Sequence, residues 1–248
     1  MITRKTKAQM ALMRQAGRVV AEIHEKCTQA ARPGATTADL DAVARDVIEK
    51  RGARSNFLNY HGFPAVICTS PNHVIVHGIP GDYVLQDGDI LSIDAGAIIE
   101  GWHADAAVTV PVGDVTPEAT RLMEVTRRSL EEAIEQTVAG KHLGDIGSAV
   151  EKVAVASGFT VVREYVGHGI GTAMHEEPPV HNFGQPGRGV RIKEGYVLAI
   201  EPMVNAGGAE TETLDDGWTV VTRDRTLSAH FEHTVAVTDD GPEVLTLP

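Results

Sequence analysis

Two stretches of this chain share one pattern, and together they limit what it can fold into. Asp87-Gly-Asp-Ile-Leu-Ser-Ile-Asp94 and Glu194-Gly-Tyr-Val-Leu-Ala-Ile-Glu201 both read acid, Gly, any residue, β-branched, Leu, small, Ile, acid, at an offset of 107 residues. (Tyr196 and Asp89 hold the variable position.) Each reads as a turn, then a short apolar strand, then a carboxylate where the strand is expected to stop. An acid carried inward by an apolar strand must be paired, protonated or bound to a metal. Two such strands point to a site built between two related halves.

The repeat extends beyond these strands. Residues 6–31 read as a helix, with Met13, Val20, Ile23 and Cys27 near one face, ended by Pro33-Gly34. A second helix starts at Thr36-x-x-Asp39, carries Leu40, Val43, Ala44, Val47 and Ile48 on one face, and closes at Gly52. Residues 117–138 read as a third helix. Asp145, Ile146, Ala149, Val150, Val153 and Ala154 then repeat the second helix at an offset of 106, and Gly158 repeats Gly52. His61-Gly62-Phe63 matches His168-Gly169-Ile170 at an offset of 107, so one residue has been inserted between helix and strands.

Strands are expected at 65–69, 74–77, 89–94 and 106–110, with a late hairpin around Asp215-Asp216-Gly217 and a strand through Phe231-Glu232-His233. Alternation places Glu232 on the opposite face from its two neighbours. The expected fold is α+β: two halves, about 1–113 and 114–248, related by a pseudo-twofold, with helices packed on a mainly antiparallel sheet. No linker rich in Pro, Ser or charge separates the halves, so one domain with a common core is expected over 1–248.

Composition narrows the function. A net charge of −12 argues against a nucleic-acid surface, which needs clustered Lys and Arg. No run approaches the roughly 18 apolar residues of a membrane span. Met1-Ile-Thr-Arg-Lys-Thr-Lys7 has a positive start but no apolar core after it, and Cys27 and Cys68 make no disulfide framework; a cytoplasmic protein is expected.

Asp94, Asp105, His168, Glu201 and Glu232 form the candidate site. Asp105 follows Asp94 across an expected loop, Ile98–Ala104, and alone would read as a strand-edge acid. His168 lies in Val166-Gly-His-Gly-Ile-Gly171, where the glycines remove bulk and permit unusual backbone angles. His77-Gly-Ile-Pro80 and His175-Glu-Glu-Pro-Pro179 are each a His on a Pro-stiffened loop, with Glu176 and Glu177 as surface acids or backbone anchors. Four converging carboxylates would raise one another's pKa values unless cations offset the repulsion. Oxygen-rich ligands with one imidazole suit Mn²⁺, Fe²⁺ or Co²⁺ and accept Zn²⁺. A two-metal centre that activates water is one reading. His103-Ala-Asp105 with a later His also matches the short facial-triad pattern of iron oxygenases, which leaves Asp94, Glu201 and the repeat without a role.

The ordered set His77-Gly-Ile-Pro, Ile93-Asp94, Asp105, Gly167-His168-Gly-Ile-Gly, His175-Glu-Glu-Pro, Ile200-Glu201-Pro and Phe231-Glu232-His233-Thr resembles the type I methionine aminopeptidases, which have the pita-bread fold. The resemblance covers essentially the whole chain. It implies two divalent metal ions per chain, from among Co, Mn, Fe, Zn and Ni. Asp105 and Glu232 would bridge them, Asp94 would complete one, and His168 with Glu201 the other. Metal-activated water would attack the carbonyl after an N-terminal Met, with Glu201 as general base, His175 steadying the carbonyl oxygen and His77 holding the peptide beyond the scissile bond.

Tyr60, Phe63, Cys68, Met174 and Trp218 would line the methionine pocket. Phe63 and Met174 stand where family members often carry Tyr and Phe. Cys68 reads equally as a small core residue, and Trp218 as a cap on its hairpin. The implied substrates are N-terminal methionyl peptides and nascent polypeptides with a small second residue. The ribosome is a candidate contact, a monomer is expected, and neither nucleic acid nor membrane is a partner. The absence of an N-terminal zinc extension, a large second-half insertion or a long leading domain favours type I over type II and Xaa-Pro relatives.

Overall fold

The computed structural model describes residues 1–248. In the first half, α1 (Lys7–Ala30) and α2 (Thr37–Lys50) precede β1 (Arg54–Ser55), β2 (Ile67–Pro71), β3 (Val74–Val76), β4 (Ile90–Ile99) and β5 (Trp102–Pro111). The second half repeats the plan with α3 (Pro117–Gln136) and α4 (Leu143–Ala156), then β6 (Thr160–Val161), β7 (Gly167–Gly169), β8 (Glu176–Val180) and β9 (Val197–Ile200). It closes with β10 (Met203–Asn205), β11 (Thr211–Thr213), β12 (Val220–Thr222), β13 (Ser228–His230), β14 (His233–Thr238) and β15 (Gly241–Val244).

The helices start where their caps dictate. Thr6 with Gln9, and Thr36 with Asp39, form reciprocal capping boxes at α1 and α2. At α3, Thr116 accepts from Ala119 N ahead of Pro117 in the first turn. No helix is long and apolar enough to cross a membrane.

All strand pairs are antiparallel, distributed over four sheets. β4 carries β5 on one edge and β2 and β1 on the other. The matching second-half sheet has the order β15-β14-β9-β7-β8. The two meet where Ala107 pairs with Glu232, and where the Thr109 and Thr234 hydroxyls bond the backbones of His230 and Asp105. β12 pairs with β3, so a second sheet also joins the halves.

The expected common core is instead divided. One cluster of 20 buried residues runs from Ala16 to Val112, under α1 and α2. Another, of 21, draws on Ala119 to Val237 plus Ile90, under α3 and α4. Three smaller clusters straddle the seam: Met10 and Met13 against Ile170, Val197, Ala236 and Leu245; Ile75 and Val76 against Val162, Met203 and Val220; and Phe57, Phe63, Ala65 and Cys68 against Met174. Burial at roughly 25 cal/mol per Å² makes these contacts the glue between the halves.

Several local expectations are corrected. β4 does not stop at Asp94; it runs on to Ile99, and a two-residue turn, Glu100-Gly101, leads directly into β5, so most of the expected Ile98–Ala104 loop is strand. The twin strand does stop, because Pro202 lacks the N–H to continue the ladder, and the chain passes from the β9 sheet to the β10 sheet. The expected 231–233 strand is likewise broken, with Phe231 and Glu232 lying between β13 and β14. His61 and His168 occupy different structures: His61 sits in a 3₁₀ turn at φ 48°, His168 in β7.

Candidate active site

Register brings the acids together. Asp94 lies opposite Ala107, and Gly96 opposite Asp105, so the two Asp residues share one face of the hairpin two positions apart. Across the seam, Ile200 pairs with His233 and Met203 with His230, which sets Glu201 opposite Glu232 in the interruption of the ladder. Ala107, the neighbour of Asp94, also bridges Glu232. Ligand atoms of Asp105, His168 and Glu232 lie within 4.8 Å of one another. His168 Nε2 stands 3.6 Å from Glu201.

The glycines beside His168 serve bulk rather than backbone angle, since neither Gly167 nor Gly169 has positive φ. A Cβ at Gly169 would lie 2.2 Å from the Glu177 carbonyl, and one at Gly167 2.3 Å from that of Ala199. They let β7 press between β8 and β9. His168 Nδ1 lies 2.9 Å from its neighbour's carbonyl, Gly169 O, so Nδ1 carries the proton and the Nε2 lone pair faces the carboxylates.

Electrostatics sharpens the picture. Burial raises Asp94 to about 7. Burial, then the charges of Asp94 and Glu201, holds Asp105 well above the carboxylate range. Glu201 and Glu232 are raised for the same reason, burial first and neighbouring acids second. Burial lowers His168 to about 3, so its 3.6 Å approach to Glu201 is no ion pair near neutral pH. Asp94 Oδ1, Asp105 Oδ1 and Glu232 Oε1 are buried with no hydrogen-bond partner. Orphaned acceptors of this kind are costly unless something positive meets them. Four carboxylates and one neutral imidazole therefore fit divalent cations.

The acids form one wall of a cavity of about 310 Å³. Tyr60, Phe63, Cys68, His77, Met174, His175 and Trp218 line the rest, so the structure brings every candidate residue to one place. Phe63 meets Trp218 edge-to-face at 5.1 Å, and Phe57 meets Phe63 at 6.4 Å. Cys68 is both core and lining: it pairs with Asp94 across β2 and β4, and burial, then the neighbouring acids, pushes its thiol pKa up. Trp218 takes its place because Asp216 accepts from the amides of Trp218 and Thr219, tightening the hairpin.

His77 is held at φ 61°, a strained backbone that a packed site enforces. Burial, followed by the neighbouring His175, lowers it to about 4. His175 is lowered by burial and by His61, and its Nδ1 lies 2.7 Å from Tyr60 Oη. A phenol donating to Nδ1 leaves Nε2–H free to donate into the cavity. The expected loop at His175-Glu-Glu-Pro-Pro179 is strand β8 from Glu176 onward, and Glu176 is a half-buried anchor rather than a surface acid.

Phe57 and His61 also line the cavity, beyond the residues the sequence points to. In the sequence His61 stands out only as a mate of His168, with its Tyr-His-Gly context beside Phe63 as the available signal. His103, needed by the facial-triad reading, is absent from both the cavity lining and the Asp105, His168, Glu232 group.

Comparison with known proteins shows the family and the fold. The profile of metallopeptidase family M24 matches residues 11–239. A methionine aminopeptidase of Clostridium perfringens is 49% identical over 247 residues, covering 100% of this chain and 99% of that protein. Methionine aminopeptidase 1 of Bacillus subtilis is 48% identical over 246 residues, 99% of each. The crystal structure of a methionine aminopeptidase from Thermotoga maritima superposes with a TM-score of 0.99 at 39% identity, covering 100% of both chains.

Proposed function

This chain belongs to metallopeptidase family M24, among its methionine aminopeptidases, and from that premise we propose that it removes the initiator methionine from newly made polypeptides whose second residue is small, with two divalent cations at the seam. The observation that carries this reading is the convergence of four carboxylates, three of them with a buried oxygen that has no hydrogen-bond partner, and a neutral His on an apolar cavity. The halves act as one catalytic domain, because each supplies two of the acids.

Asp94, Asp105, His168, Glu201 and Glu232 would hold the cations. When bound, they supply activation of water and polarisation of the peptide carbonyl. The methionine side chain enters between Phe57, Phe63, Met174 and Trp218, where a thioether gains from aromatic neighbours. Glu201 takes the proton from the attacking water and delivers it to the leaving amine. His175 Nε2–H donates to the carbonyl oxygen as negative charge builds there. His77, neutral near pH 7, binds the peptide beyond the scissile bond. His77 stands 6.3 Å from the Trp218 ring and 5.8 Å from that of Tyr165, which supports a narrow second-residue position. We place the reaction in the cytoplasm, on a monomer that meets chains as they leave the ribosome.

The test is release of the first residue from Met-Ala-Ser, Met-Lys-Ser and Ala-Pro-Ala peptides by protein loaded with Mn²⁺, Fe²⁺ or Co²⁺. Cleavage of Met-Ala-Ser well ahead of the other two is expected. Turnover of Ala-Pro-Ala alone would make it an Xaa-Pro peptidase, and no turnover with any peptide would point to a peptide-binding protein.

A further inference from the structure

His175 is held from outside the cavity as well as from within. The next residue, Glu176, folds its carboxylate back over the loop that leads to it. Its Oε1 accepts from Thr172 N at 2.9 Å and from Ala173 N at 3.3 Å. Its Oε2 accepts from Lys5 Nζ at 2.8 Å and from Thr3 Oγ1 at 2.7 Å, and Lys5 Nζ also donates to Thr3 Oγ1 at 2.6 Å. The Lys5 and Glu176 side chains are 3% and 14% exposed. A lysine so nearly sealed is unusual, and a buried pair of this kind is costly to break from one side.

The segment that carries Lys5 is itself anchored. Lys5 N donates to Gly195 O at 2.7 Å, and Arg4 Nε to Glu194 O at 2.6 Å, fixing it on the turn that enters β9. The fit is close on the other side too. A Cβ at Gly171 would lie 2.5 Å from the Glu176 carboxylate and 2.6 Å from Lys5 Cε. The N-terminal segment therefore ties the strand that ends in Glu201 to the loop that ends in His175, with Met174 of the pocket wall between Gly171 and Glu176.

We propose that Lys5, acting through Glu176, is a positioning residue that fixes His175 over the substrate carbonyl. It touches neither substrate nor cation. The inference rests on the role given to His175 above. Removing the ammonium leaves the Glu176 carboxylate short of its buried partner and frees the 172–176 loop, displacing the His175 donor while the acids of the centre keep their strands.

The experiment is a double-mutant cycle of Lys5→Met and His175→Ala on the cation-loaded protein, with kcat, KM and bound cation measured on samples shown to be folded by circular dichroism. Lys5→Met is expected to lower kcat about tenfold, since misplacement near 1 Å can cost up to about a hundredfold, with KM and cation content little changed. In the His175→Ala background the same change should cost less than about twofold, because groups acting as one unit are not additive. An equal loss in both backgrounds, an unchanged kcat, or a fall in cation content would overturn the positioning role. Should Lys5→Met not fold, Thr3→Val removes only the bridging hydroxyl and runs the same cycle, with an expected loss of about threefold. Wild-type protein inert toward Met-Ala-Ser would overturn the functional reading and this one with it, whereas active wild type with additive losses overturns this one alone.

Discussion

The two halves carry their acids on different kinds of strand. In the first, Asp94 sits mid-way along the unbroken β4, flanked by Cys68 on one side and Ala107 on the other, and Asp105 follows on the same hairpin. In the second, Pro202 ends β9 just after Glu201, and Glu232 lies in the matching gap between β13 and β14. Repetition supplied the scaffold, and one proline broke its symmetry. An acid locked in a ladder suits fixed ligation. One at a strand end, with an extra methylene and no ladder beyond it, suits a carboxylate that must also move a proton.

Exchanging the acids is the strongest way to break this comparison. Glu201→Gln is expected to lower kcat by about a thousandfold, within the range of general acid–base catalysis. Asp94→Asn should act first on binding, lowering cation content, with part of the activity restored by excess cation. Turnover and metal analysis separate the two; full recovery of Glu201→Gln turnover by excess cation would show that Glu201 only holds a cation and moves no proton.

The matched His-Gly pairs offer a second contrast. Gly169→Ala forces a Cβ against the Glu177 carbonyl and is expected to cost about 3 kcal/mol, at the upper end for overpacking. Gly62→Ala meets open space and only the strain of φ 89°, about 1 kcal/mol. Urea unfolding of both variants checks the difference.

Cation binding should release protons, because the raised pKa values mean that the folded, cation-free acids hold protons their unfolded counterparts have lost. The sign follows for the cation-free protein: these groups stabilise it more as pH falls from about 7 toward the ordinary carboxylate range, and less as pH rises. Titrating Mn²⁺ into unbuffered protein at pH 7 should release protons from these acids together. Asp94→Asn should reduce the release, and no release at all would mean that the cavity binds no cation at these acids.

The smallest contrast lies in the second helix of each half. Thr36 Oγ1 accepts from Asp39 N at 3.1 Å, whereas at α4 it is His142 N that donates to the Asp145 carboxylate, at 2.7 Å. Thr36→Ala should cost about 1 kcal/mol in urea unfolding and His142→Ala close to nothing.

Much of this was legible in the chain itself. Helix starts were visible because capping boxes are local, and the repeat was visible because turn glycines and strand apolars keep their spacing. Asp94 and Glu201 stood out because buried charge on an apolar strand has few other uses, and they drew Asp105, Glu232 and His168 into one set. What escaped were properties of pairing. That β4 runs through Asp94 while β9 stops at Glu201 depends on Pro202 and on which sheet receives the next strand. That the glycines of β7 serve packing rather than φ depends on β8 and β9 pressing in from both sides. The division of the core, the place of Phe57 and His61, and the burial of Lys5 all depend on contacts between distant segments.

The central claim is that acids from both halves jointly hold divalent cations beside the methionine cavity. Anomalous diffraction from a crystal grown with Mn²⁺ tests it most directly. The account predicts two peaks at the seam, each about 2.0–2.4 Å from oxygens or nitrogen of Asp94, Asp105, His168, Glu201 and Glu232, an ordinary range for such ligands. A cavity with no anomalous peak in protein that cleaves Met-Ala-Ser, or a cation held by the acids of one half alone, would contradict it.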